Sequence, residues 1–138
     1  MALAIKQPGS YIARWAYHLA DNVDLDRFKR AWEQTVISSG NLRTRIVQSQ
    51  SSMLQVLVKD DVAWEDTDSY SSLADYVRHT EQVKMNLGTR LCRWALFTDR
   101  TSGKACFVLV AHHAIYSRSI VDGCALLAQL AEQRILNP

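Results

Sequence analysis

The sequence predicts a two-layer α/β sandwich, with helices on one face of a mixed and mostly antiparallel sheet. Two observations support this class. Amphipathic stretches interleave with pairs of short extended segments in the order β-α-β-β-(β)-α-β-β-α, which favours hairpins over a doubly wound parallel sheet. The 138 residues are 48% hydrophobic and 22% charged, values typical of a globular protein. We therefore treat residues 1–138 as a single domain with one core.

The first half of the chain alternates one strand, one helix and one hairpin. Aromatic residues predict a strand over residues 10–19, and Asp24 then suits the N-cap of a helix that ends near Gly40. Alternating apolar and polar residues predict strands over 42–48 and 53–58, joined by a polar turn. The helix is predicted by apolar residues at helical spacing, namely Leu25, Phe28, Trp32 and Val36.

The second half repeats this alternation with more apolar strands. A short extended segment over 62–66 precedes a second helix, which begins at Ser71 or Ser72. The strands predicted over 91–98 and 104–112 are so rich in apolar residues that we expect both to be central in the sheet. A last helix is predicted from about Ser119, with Leu126, Leu127, Leu130 and Ile135 on its apolar side.

Charge and cysteine content exclude several function classes. The chain has 16 Lys and Arg against 14 Asp and Glu, and these charges are interspersed. We therefore expect no nucleic-acid partner and no membrane partner. The three cysteines are far apart and lie in apolar stretches, so we expect reduced thiols in a cytoplasmic protein. They are Cys92, Cys106 and Cys124.

The chemistry-bearing feature is a pair of histidines at the end of the most apolar strand. Neighbouring residues on a strand point to opposite faces, so one of His112 and His113 should face the core and the other a cleft or solvent. The outward imidazole could act as a general base near neutral pH, and the inner one could hold the loop. Adjacent histidines on opposite faces cannot bind one metal ion, so we expect no metal site.

Four stretches in order resemble one protein family. Residues 112–116, His-His-Ala-Ile-Tyr after a hydrophobic strand, resemble the HHxxxDG signature of nonribosomal peptide synthetase condensation domains, in the chloramphenicol acetyltransferase-like superfamily. Residues 9–15 and 24–32 resemble the family's first strand and first helix. Residues 41–47 resemble its Leu-Arg-Thr motif, and the stretches together most resemble those of fungal synthetases. The strand before the histidines also matches, at Gly88, Leu91, Arg93, Trp94, Ala95 and Leu96.

The resemblance implies an acyl- or peptidyl-transferring condensation enzyme. Such domains form an amide or ester bond between substrates held as phosphopantetheine thioesters on carrier proteins, and bind no cofactor directly. Their two lobes enclose a tunnel, and the histidine motif lies on the N-terminal lobe. By this match His113 is catalytic, His112 is structural, and Arg43 pairs with the motif's Asp to brace the loop.

The chain departs from the motif directly after the histidines. Ser117 stands at the Asp position and Arg118 at the Gly position. One account is that a residue is missing, so that the stretch from Ser117 aligns with the family's following Gly-x-Ser. The other is that Asp122 and Gly123 are the displaced Asp-Gly, five residues late. We favour the first, and in either case expect a compromised active-site loop.

Length is the second departure, because a complete condensation domain is far longer than this chain. We expect only the N-terminal lobe here, without the C-terminal lobe, and therefore negligible transfer by this chain alone. Two alternatives stay open. The chain could be a degenerate lobe that serves as a scaffold or a carrier-protein docking surface. It could also be a stand-alone binding domain, although that would not explain four motifs in order.

Overall fold

A computed structural model describes residues 12–59 and 62–115 of the chain. Within these ranges no helix is long and apolar enough to cross a membrane. The elements, in order, are β1 (Ile12–His18), α1 (Leu25–Ser38), a 3-10 helix (Gly40–Arg43), β2 (Thr44–Ser49), β3 (Ser52–Leu57), α2 (Leu73–Gln82), β4 (Cys92–Thr98) and β5 (Ala105–His112).

Two antiparallel sheets confirm the predicted α/β class with a mostly antiparallel sheet. One sheet has the strand order β1-β5-β4, and the other is the β2-β3 hairpin. Strand β5 is central as predicted, and all eight of its residues are buried. The prediction that β4 is also central is wrong for the described residues, where β4 is an edge. It is nevertheless covered, because the Glu65 N–H donates to Trp94 O and the Thr67 hydroxyl to Leu96 O, each at 3.0 Å.

The helices lie on opposite faces of the three-stranded sheet, which corrects the expectation of a single helical face. On α1, the ring of Trp32 packs against Phe107, with centroids 4.9 Å apart. The opposite face of the sheet carries Arg14 and Val110, which are paired in register. Arg14 Nε donates to Thr80 Oγ1 of α2 at 3.0 Å. With a helix on each side, β5 is buried on both faces.

Most element boundaries follow the predicted signals. The side chains of Asp24 and Ser72 accept hydrogen bonds from backbone N–H groups three residues later, so both act as N-caps. The strand predicted from residue 42 begins instead at Thr44, because the 3-10 helix continues from α1 and the Leu42 N–H donates to Ser39 O at 3.0 Å. The last predicted helix, from about Ser119, lies outside the described residues.

Candidate functional site

The histidine pair lies where β5 ends and a turn begins. His112 is the last residue of β5 and is 1% exposed, whereas His113 is exposed. One imidazole is thus in the core and the other at the surface, as expected, although the difference arises where the strand ends and not from alternation along it. His112 is buried like Val110, its neighbour on the same face of β5.

Three hydrogen bonds make His112 the anchor of the turn. Its backbone N–H donates to Leu91 O at 2.8 Å, which joins the end of β5 to the residue before β4. Its Nδ1 accepts from the Ala114 N–H at 3.0 Å, and its carbonyl accepts from the Ile115 N–H at 3.1 Å. Because Nδ1 is an acceptor, the imidazole is neutral with its proton on Nε2. His113 is therefore displayed on a turn that its neighbour holds from both the main chain and the side chain.

Arg43 lies at the junction of α1 and the hairpin. Its Nε and Nη2 donate to Val36 O and Ile37 O, each at 3.1 Å, and its Nη1 donates to Val58 O at 2.9 Å. The guanidinium thus binds carbonyls at the C-terminus of α1, where a positive charge is favourable, and ties them to the end of β3. None of these contacts involves the histidine pair.

Two of the residues expected at the site, Ser117 and Asp122, lie outside the described residues. The pairing of Arg43 with a carboxylate after the histidines therefore stays a prediction. Of the five expected site residues, the structure brings His112 and His113 together on one turn and gives Arg43 a separate location.

Buried thiols and phenols near the sheet are poor candidates for nucleophiles. Burial raises the pKa of the Cys106 thiol to about 11, so it is protonated near neutral pH. Burial is also the first cause that raises the pKa of Tyr76 to about 12, followed by the charge of Glu65. Cys92 is buried, and Cys124 lies outside the described residues. Within the described ranges, no group of three or more His, Cys, Asp or Glu residues could hold a metal ion.

Sequence analysis did not predict a groove that lies beside the N-terminal half of α1. It has a volume of about 390 Å³ and is lined by Asp26, Lys29, Trp64, Asp68 and Arg100, among others. Its walls come from three separate segments, and no motif marks them. The Trp64 indole, whose Nε1–H donates to Glu33 Oε1 at 2.8 Å, closes one side. His113 does not line this groove, so the groove and the histidine pair are distinct features.

Comparison with known sequences identifies relatives of one kind. No protein-family model matches the chain. It is 40% identical over 131 residues to the nonribosomal peptide synthetase easA of Emericella nidulans. This alignment covers 92% of this chain and 2% of that protein. It is 39% identical over 116 residues to the nonribosomal peptide synthetase gloA of Glarea lozoyensis, covering 84% of this chain and 2% of that protein. The chain therefore spans a small segment of each of these synthetases.

Comparison with solved structures identifies the same fold. The starter condensation domain of rhizomide synthetase RzmA superposes with a TM-score of 0.67 at 18% identity, over 91% of this chain and 32% of that one. The SgcC5 protein of Streptomyces globisporus superposes with a TM-score of 0.65 at 22% identity, over 95% of this chain and 32% of that one. At these identities the likeness shows the fold alone. The chain is therefore homologous to a short segment of fungal nonribosomal peptide synthetases, and it has the fold of part of a condensation domain.

Proposed function

We propose that this chain is the N-terminal lobe of a condensation domain and carries the domain's catalytic histidine, His113. In the complete domain this lobe would help to join a carrier-bound acyl or peptidyl thioester to the amine or hydroxyl of a second carrier-bound substrate. The arms that present both substrates are the phosphopantetheine groups of carrier proteins, the expected partners. The setting would be the cytoplasm.

The observation that carries this proposal is the contrast between the two histidines. A general base or a positioning group must reach its substrate, and His113 is exposed on a turn at the end of the most buried strand. Its neighbour is buried, neutral and hydrogen-bonded to the Ala114 N–H, so it can hold the turn but cannot reach a substrate. In the reaction, the nitrogen of the substrate amine, or the oxygen of the substrate hydroxyl, would attack the thioester carbonyl. His113 would accept or orient the proton of that amine or hydroxyl. The departing thiol would then take up a proton.

This lobe alone offers one wall of a reaction site. Orientation of two reactants can contribute about 7–11 kcal/mol to a barrier reduction, but only where both are held. The solved relatives are about three times as long as the part that this chain matches. We therefore expect no transfer by the 138-residue chain without the remainder of a domain.

A chimera provides the test. This chain would replace the matching segment of the easA synthetase, and product formation from loaded carrier proteins would be followed by mass spectrometry. We expect product from the chimera and none after His113→Ala. The matched control is His79→Ala, which removes another exposed histidine, on α2, and should leave turnover unchanged. Equal product from the chimera and its His113→Ala variant would refute the role of His113.

The second candidate is a non-catalytic lobe that serves as a scaffold or a docking surface, and the Ser117-Arg118 pair in place of Asp-Gly favours it. On this account the chimera is inactive, Ser117→Asp creates no product, and carrier proteins still bind. Product that appears only after Ser117→Asp would show a catalytic lobe whose loop has lost one carboxylate.

A further inference from the structure

The segment between α2 and β4 contains a turn whose backbone favours glycine. This Gly88 turn spans residues 86–89, and the Thr89 N–H closes it by donating to Asn86 O at 3.2 Å. Gly88, its third residue, has a φ of +79°, which L side chains rarely adopt. A positive φ at this position is typical of a type II turn. The Thr89 hydroxyl adds a second bond across the turn, because it accepts from the Asn86 N–H at 2.9 Å.

Gly88 joins this turn to strand β2 of the hairpin. Its N–H donates to Ile46 O at 2.7 Å, and its carbonyl accepts from Arg45 Nη1 at 3.3 Å. Ile46 is 2% exposed, so β2 is fixed in the core at this point. Arg45 and Ile46 both belong to the stretch 41–47, which resembles the Leu-Arg-Thr motif. That motif is therefore attached to the Gly88 turn.

Three residues after Gly88, the chain reaches the histidine turn. The carbonyl of Leu91 accepts from the His112 N–H at 2.8 Å, and Leu91 itself is 2% exposed. Leu91 directly precedes β4, so the pairing of β4 with β5 holds it from one side only. On its other side, within the described residues, the nearest backbone hydrogen bond to another element is the one from Gly88 to Ile46 O. The location of Leu91 O thus depends on where the Gly88 turn lies.

Arg90, which lies between Gly88 and Leu91, is anchored by its side chain. Both terminal nitrogens of its guanidinium donate to Ala63 O at 3.1 Å, and the group lies 4.5 Å from the centroid of the Trp94 ring. A long side chain has several rotatable bonds, so it can keep such contacts while its main chain shifts. The contacts of Arg90 therefore do not replace the backbone bond of Gly88.

We propose that Gly88 is a positioning residue for His113, and this inference rests on the proposed function. The connection runs from β2 through Gly88 to Leu91 O, and from there to His112. His112 holds the turn that displays His113, because it accepts two hydrogen bonds from N–H groups of that turn. A displacement of about 1 Å can lower an enzymatic rate about 10²-fold. A residue that cannot hold the positive φ at position 88 would therefore lower the activity of a complete domain without altering His113 itself.

Gly103 offers a matched control for Gly88. It also has a positive φ, of +70°, and it lies in the turn that joins β4 to β5, at the end of both strands away from the histidines. Apart from its chain neighbours, a Cβ atom at either glycine would meet no atom within 4 Å. Valine at either position therefore introduces the same kind of backbone strain without a steric clash. The variants Gly88→Val and Gly103→Val differ in whether the strained turn is connected to the histidines.

Hydrogen–deuterium exchange of the isolated chain tests the connection. We expect the amides of His112 and Ala114 to exchange roughly tenfold faster in Gly88→Val than in Gly103→Val. The amide of Leu109, in the middle of β5, reports global unfolding and should respond equally to both substitutions. Equal exchange of His112 and Ala114 in the two variants would overturn the proposal.

The kinetics of the easA chimera test the effect on catalysis. We expect Gly88→Val to lower kcat at least about tenfold with little change in KM, whereas Gly103→Val should retain kcat. Gly88→Asn should recover most of the loss, because asparagine tolerates a positive φ better than valine does. A purely structural role would lower the amount of folded protein in both valine variants alike. Equal kcat in the two valine variants, or no recovery with asparagine, would contradict the positioning role.

The outcomes separate this inference from the proposed function. An inactive chimera would count against the function, and the exchange of His112 and Ala114 would still decide whether Gly88 holds the histidine turn. An active chimera that keeps its kcat after Gly88→Val would refute the positioning role and leave the function standing. If Gly88→Val fails to fold, Gly88→Ala and Gly103→Ala carry both measurements, because alanine is less strained than valine at a positive φ.

Discussion

Replacement of Arg43 by methionine should destabilise the chain because it removes three hydrogen bonds from a charged donor. The guanidinium binds Val36 O, Ile37 O and Val58 O. The bonds to Val36 and Val58 are partly buried, and the bond to Ile37 is exposed. A hydrogen bond to a charged group contributes about 1.5–3 kcal/mol, and solvent exposure reduces this. Two partly buried bonds at the lower end of that range give a loss of about 3 kcal/mol.

The assay is urea denaturation of the isolated chain, followed by tryptophan fluorescence. Arg43→Lys should fall between wild type and Arg43→Met, because an ammonium group cannot reach all three carbonyls at once. The matched control is Arg30→Met, which removes one positive charge from the exposed side of α1 and should change stability by less than about 0.5 kcal/mol. If Arg43→Met were no less stable than Arg30→Met, the bracing role derived from these contacts would be refuted.

Two further predictions concern the core. Trp32 is 1% exposed and packs against Trp94 and Phe107, so Trp32→Ala should cost about 3–5 kcal/mol in thermal or urea unfolding. Ile37→Ala, at an exposed position on the same helix, should cost far less, and similar losses for the two would contradict the packing. Because burial raises the pKa of Cys106 from 9.0 to about 11, its thiol ionises first in the unfolded chain, so stability should fall between pH 9 and 11. The urea midpoint of Cys106→Ala should fall less steeply over that range, and an equal slope would exclude this thiol as the cause.

Periodic burial explains which parts of the fold could be predicted. Helix α1 was predictable because Phe28, Trp32 and Val36 fall on one side at helical spacing, and all three are buried. Strand β5 was predictable because a continuous apolar run needs cover on both faces, and it receives that cover from the helices. The different burial of His112 and His113 was expected from strand alternation, but its cause in the structure is that β5 ends at His112 and His113 lies in the turn.

The positions of β4 and β3 could not be predicted, because they depend on which element covers the apolar residues of each strand. The apolar run of β4 is covered partly by the segment around Glu65, so burial did not require a central position. The apolar residues of β3 gave the same alternating signal as a half-buried strand, yet all six of its residues are exposed here. A hydrophobic pattern reports that a surface will be covered, and it does not report by which partner. The groove beside α1 carries no pattern because its walls meet only in the folded chain.

The contacts of Arg43 bear on the expectation that Ser117 stands at the Asp position of the HHxxxDG signature. If the guanidinium depended on that carboxylate, its loss would leave a partly buried charge unpaired, at a cost of up to several kcal/mol. In this structure three of the five guanidinium N–H donors already bind carbonyls at the end of α1 and the end of β3. The charge is therefore satisfied without the carboxylate, and a serine at position 117 need not destabilise the chain. A missing carboxylate would then affect the loop that carries His113. It would lower the activity of a complete domain without lowering the stability of this chain.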